Sequence, residues 1–162
     1  MRHKSNHKLI LIFLVLAVFL GGTGFFIEAQ SKADIIEEYK ELDKRDFRIQ
    51  SSQNTEEEIE ILAKEIYCGS QLEKAINYYK ELKSKGLCLK IDSIKYNSIE
   101  VLDHDVSSAV LLVSSEYEGD YVTVGEKKES MREVEVKMLC QVELARDGDS
   151  WKIANTVVLK DE

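Results

Sequence analysis

Residues 133–159, EVEVKMLCQVELARDGDSWKIANTVVL, decide the fold class. Val134, Val136, Met138, Cys140, Val142 and Leu144 alternate with Glu133, Glu135, Lys137, Leu139, Gln141 and Glu143, the period of a strand with one buried and one mostly wet face. The RDGD that follows carries the Asp-Gly signal of a two-residue hairpin. Trp151, Ile153, Val157 and Leu159 align in the returning strand. Two long strands joined by a tight turn make an antiparallel sheet, and this pair closes it at the C-terminal end.

Upstream, the same period continues less regularly. Residues 106–117, VSSAVLLVSSEY, form a strand whose apolar centre is unbroken, as when both faces are covered. Residues 87–103 form another; Leu87, Leu89 and Ile91 share one parity and Ile94 and Tyr96 the other, so a bulge is expected between them. DYVTVGEKKES, residues 120–130, prolongs the hairpin between the second and third long strands, with Gly119 as a bend and GEKK as the tip.

Before Gly86 the period is 3.6. In TEEEIEILAKEIYCG, Thr55 and Glu58 make a capping box and Ile59, Leu62, Ala63, Ile66 and Tyr67 an apolar stripe, stopped by Gly69. SQLEKAINYYKELKSKG repeats the device with Ser70 and Glu73, a stripe of Leu72, Ala75, Ile76, Tyr79 and Leu82, and Gly86 as the stop. Earlier still, Ile35, Ile36, Tyr39 and Leu42 give an amphipathic helix from Ser31 to about Ile49, which QSSQN breaks.

Residues 9–27, LILIFLVLAVFLGGTGFFI, hold no charge and have the length of a membrane-crossing helix. The basic residues of the 1–8 leader place the N-terminus in the cytoplasm and the rest of the chain outside. A cleaved secretory signal begins in the same way, but its apolar core is shorter, so a retained anchor is the expectation. The organisation is then a leader (1–8), a transmembrane helix (9–27), a juxtamembrane helix and linker (28–54) and an extracytoplasmic domain (55–162). Net charge is −8; the first 27 residues contribute +3, which leaves −11 for the remainder. Such a domain repels phosphates, so nucleic acid is not an expected partner. Hydrophobic residues at 44% and charged residues at 32% are the composition of a folded chain.

Candidate chemistry is sparse. His104, between Asp103 and Asp105 in VLDHDVS, has the neighbours of an acid/base pair, but Asp-His-Asp between strands reads first as a solvated turn. Tyr39, Tyr67, Tyr78, Tyr79 and Tyr96 are able to line a polar cavity, although Tyr67 and Tyr79 already belong to core stripes. Cys68 and Cys88 flank a helix of about fifteen residues, roughly 22 Å long, too far for a disulfide. Cys140 lies on the buried parity of its strand. No Cys/His spacing points to a metal, RDGDS is too short for a calcium loop, and no cofactor is expected.

Helices followed by antiparallel strands describe an α+β domain. That order, the DGDSWKI stretch of the last strand and the single anchor resemble the nuclear transport factor 2-like superfamily over about residues 56–160. The resemblance implies a cone in which helices pack inside a curved sheet. Its anchored members look like inner-membrane assembly proteins of conjugation and type IV secretion machines, and others are cyclases, isomerases and dehydratases with an Asp/His pair inside the cone. The expected function is therefore non-enzymatic: a membrane-anchored scaffold that meets lipid through residues 9–27 and envelope proteins through Ile35, Ile36, Tyr39, Leu42, Tyr121, Val122 and Val124, with self-association open. Alternatives are a ligand-binding or catalytic cone, which requires a deep polar pocket with a perturbed acid, and a secreted binder released by cleavage.

Overall fold

Four long strands pair in chain order, each antiparallel to the next. The computed structural model describes residues 31–51, 54–124 and 130–161; the expected leader, membrane-crossing run and GEKK tip lie outside these. A helix over residues 31–51, α1, is followed by α2 (Glu56–Ile66) and α3 (Gly69–Ser84), then β1 (Leu87–His104), β2 (Ser108–Thr123), β3 (Ser130–Asp147) and β4 (Ser150–Asp161). The class is α+β, as expected. Among the described residues no helix is long and apolar enough to cross a membrane.

At the β3–β4 hairpin Asp147 pairs with Ser150, and Gly148 takes the positive φ of 65° that the turn requires. Arg146 and Trp151 are the next pair, with the guanidinium 5.2 Å from the centre of the indole ring. Cys140, Val142 and Leu144 of β3 lie opposite Val113, Leu111 and Ala109 of β2, and all six are buried. Directly opposed residues share a face, so these define the inner side of the sheet. β4 departs from the expected alternation. Glu143 pairs with Asn155 and Leu144 with Ile153, so Ala154 is an extra residue and the parity reverses. Thr156 therefore lies opposite Val142, whereas Val157 and Leu159, expected to align with Trp151 and Ile153, are 44% and 53% exposed.

Three register shifts break β1, and the first, between Ile91 and Ser93, is the expected bulge. Val110 and Leu112 of β2 are half-buried, so the second face of that strand is only partly covered.

The helices lie on the inner face. Ile35, Tyr39, Leu42 and Ile49 of α1 join Ile59, Ala63 and Ile66 of α2, Ala75 and Tyr79 of α3, and the inward residues of β2, β3 and β4 in one core. Burying each large aliphatic side chain contributes about 1.5–3 kcal/mol. The capping box of α2 forms: Glu58 N–H donates to Thr55 Oγ1 at 3.2 Å and Thr55 N–H to Glu58 Oε2 at 2.7 Å. The expected box of α3 does not. That helix starts at Gly69 after Cys68, whose side chain makes no capping bond, and Ser70 already lies inside it. Tertiary pairing decides its start: Tyr67 bridges Ile153, and Cys68 N–H donates to the Ile153 carbonyl at 3.0 Å, tying the α2–α3 junction to β4.

Candidate functional site

Between α1, the α2–α3 helices and the inner face of the sheet lies a cavity of about 410 Å3. Helical spacing puts Tyr39, Asp43, Asp46, Phe47 and Gln50 of α1 along one wall, because positions three and four apart share a face. Tyr67, Gln71 and Tyr78 contribute from the α2–α3 side. Ile91, Val113, Ser115, Tyr117, Tyr121, Val136, Met138 and Thr156 belong to the part formed by the sheet. The parity reversal at Ala154 is what brings Thr156 to this face.

Two carboxylates set the electrostatics, and they are held differently. Asp46 is buried and accepts hydrogen bonds from the Tyr79 hydroxyl and from Gln50 Nε2, the latter at 2.5 Å. Burial raises its pKa, while hydrogen bonds from Tyr79, Tyr67 and Gln50 oppose the rise by favouring the anion. Asp43 receives one hydrogen bond, from the Tyr96 hydroxyl to Oδ2 at 2.6 Å. Burial pushes its carboxyl up to about 7; the Tyr96 bond works against this and the charge of Asp46 adds to it. Desolvation, and then in most cases the nearby carboxylates, push Tyr39, Tyr67, Tyr78, Tyr79 and Tyr96 well above the usual phenol range. These hydroxyls stay protonated at neutral pH and serve as donors. The rings also pack on one another: Tyr39 meets Tyr96 edge-on with centroids 6.3 Å apart, and Phe47 meets Tyr117 at 5.3 Å.

The tyrosines read from the sequence divide accordingly. Tyr39, Tyr67 and Tyr78 line the cavity, and Tyr79 and Tyr96 anchor its carboxylates. Asp43 and Asp46 were not among the expected site residues, yet one carried a signal: Ile35, Tyr39, Leu42, Asp46 and Ile49 form a single helical stripe with an acid at a core position. Tyr117 gave no comparable signal within its apolar strand.

Of the residues expected to touch partner proteins, all but Val124 are buried or half-buried. Ile35, Tyr39 and Leu42 are buried at 3%, 7% and 2% exposure, and Ile36 packs against the same core. The apolar stripe that called for an external partner is covered by the chain's own sheet. Val122 is buried, Tyr121 lines the cavity, and Val124 is exposed. His104 ends β1, and Asp105 Oδ1 accepts from the backbone N–H groups of Ser107 and Ser108 at 2.6 and 2.7 Å, the geometry of the expected turn. Cys68, Cys88 and Cys140 are all thiols. Among the described residues no cluster of three or more His, Cys, Asp or Glu side chains is arranged to hold a metal ion.

The sequence matches no protein-family model and no curated protein. Among solved structures, the intermembrane-space region of the chloroplast protein ARC6 is similar at 16% identity with a TM-score of 0.55, over 74% of this chain and 92% of that one. A de novo designed β-sheet protein aligns at 18% identity with a TM-score of 0.36, over 80% and 90% of the two chains, too low to bear on the fold. The likeness to ARC6 is one of fold alone.

Proposed function

We propose that this chain is a membrane-anchored domain that binds a small molecule in the cavity between its helices and its sheet. The cavity itself carries the reading. A scaffold module that works only through its surface has every reason to fill its interior, since each void forfeits packing energy. This domain instead keeps a cavity of about 410 Å3, partly open to solvent, with a carboxyl group lifted to about 7 in its lining, a combination common at ligand sites. Residues 9–27 remain the proposed anchor, with the domain outside the membrane, and the cone-like architecture of the nuclear transport factor 2-like superfamily remains the proposed finer description of the fold. Binding without turnover is the activity proposed. Contact with envelope proteins stays in this reading only through surfaces other than the buried α1 stripe.

The test is ligand-observed NMR of the full chain in zwitterionic nanodiscs against a broad fragment set, repeated with Val136→Phe to fill the cavity. Fragments that bind the wild type and are lost in a folded V136F chain support the reading. Absence of binders, or binders indifferent to the substitution, would overturn it.

A further inference from the structure

We infer that the ligand of this cavity is an organic cation, a small amine whose ammonium group sits against the Asp43 carboxylate among aromatic rings. This rests on the reading of the cavity as a small-molecule site and specifies its chemistry.

Asp43 and Asp46 both line the cavity, and among the described residues no Lys, Arg or His does. Buried carboxylates are ordinarily paired with a cation, and the described lining residues supply no cationic side chain. An anionic ligand would meet two like charges, whereas a cation would complete them.

The two acids are not equivalent. Asp46 is engaged by Tyr79, Gln50 and Tyr67 and is held by the protein's own donors. Asp43 has the single Tyr96 hydroxyl among the described residues. An ionised carboxylate has about four acceptor positions, so Asp43 keeps capacity for a ligand. Gln71 adds a second, independent acceptor: on the α2–α3 side of the same cavity its Oε1 is buried without a hydrogen-bond partner. An ammonium N–H is the donor that both lack.

The remaining surface is aromatic. Tyr39, Phe47, Tyr67, Tyr78, Tyr117 and Tyr121 line the cavity, and ring faces attract ammonium groups through their quadrupole, more strongly where water is excluded. The volume lies within the range of ordinary small-molecule sites, and a domain carrying −11 outside the leader and apolar run draws cations towards it.

Protonation of Asp43 then competes with binding. The titratable groups facing it are Tyr39 and Asp46 on α1, Tyr96 on β1 and Tyr117 on β2. The tyrosines titrate far above neutrality, so the carboxyls govern the response, and amine affinity should rise with pH between 6 and 8.

The experiment is isothermal titration of the full chain in zwitterionic nanodiscs with three probes of matched shape: phenethylamine, 2-phenylethanol and hydrocinnamate. At pH 8 the amine is expected to bind about tenfold tighter than the alcohol, with hydrocinnamate weakest and the amine weakened at pH 6. Asp43→Asn, which keeps an acceptor for Tyr96, should remove the amine's advantage over the alcohol, with circular dichroism reporting that the fold is kept. Equal or tighter binding of the alcohol or the carboxylate to the wild type would overturn the cation assignment while leaving a small-molecule site standing. An amine preference that survives Asp43→Asn would overturn the assignment to Asp43. Silence from all three probes would overturn the cation and the small-molecule reading together.

Discussion

Asp43 and Asp46 are three positions apart on one helix face, yet their surroundings assign them different work. Asp46 is a structural acceptor. Truncating it to Ala would leave two tyrosine hydroxyls and the Gln50 amide without their buried partner, and denaturant unfolding should register a loss of about 3 kcal/mol or more, with Asp46→Asn milder. Asp43 is the titrating group. Its folded value of about 7 stands above the ordinary 3.8, so between those pH values the folded chain holds a proton that the unfolded chain has released. Stability contributed by this group is therefore full below about pH 4, declines as pH rises through about 7, and levels off above that. The thermal midpoint of Asp43→Asn should fall less than that of the wild type between pH 5 and 8. Identical profiles would mean that Asp43 is not perturbed. The exposed acids Glu41, Glu58 and Glu60, whose pKa values are lowered, cancel from this comparison because both chains contain them.

Within single elements the same residue pattern can be decisive or idle. Thr55 and Glu58 close the start of α2, so Thr55→Ala should cost about 1 kcal/mol. Ser70 and Glu73 have the same spacing but stand inside α3, and Ser70→Ala should change the unfolding midpoint little. Comparison of the two variants under one denaturant series checks both. Sequence spacing alone made these boxes look alike; they differ because the junction at Tyr67 and Cys68 is pinned to Ile153 across the sheet. Gly119 illustrates a close approach of strands. A methyl group there would collide with the Lys90 carbonyl oxygen and lie 3.1 Å from Ile91 Cα, beside the first bulge of β1. Gly119→Ala should lower stability by about 1–3 kcal/mol, and an unchanged midpoint would show that β1 yields at this point.

For the whole domain, the principal question is where α1 belongs. Read as a free juxtamembrane helix it should exchange its amide hydrogens quickly, as a segment with few buried contacts does. Its stripe instead forms part of the central core, so amides of residues 39–49 should be protected about as well as those of β2 and β3 in hydrogen-exchange mass spectrometry. Fast exchange confined to α1 would return it to the role of an external contact. A bound amine links to the same cooperative unit: at a hundredfold excess over its dissociation constant it should add about 2.7 kcal/mol to unfolding, read as a rise in thermal midpoint that Asp43→Asn abolishes.

What the sequence determined by itself was local and periodic: the long strands, the Asp-Gly hairpin, the Thr55 capping box, the bulge in β1 and the apolar stripes of α1, α2 and α3. Each rests on neighbours within a few positions, where backbone geometry and side-chain period act directly. Tertiary structure alone decided the partner of the α1 stripe, the reversal at Ala154 that exposes Val157 and Leu159, and the assembly of the cavity. Its two carboxylates are fixed by tyrosines 53 and 33 positions away. Their titration is governed first by burial, a property of the surrounding structure that no short stretch of the chain encodes.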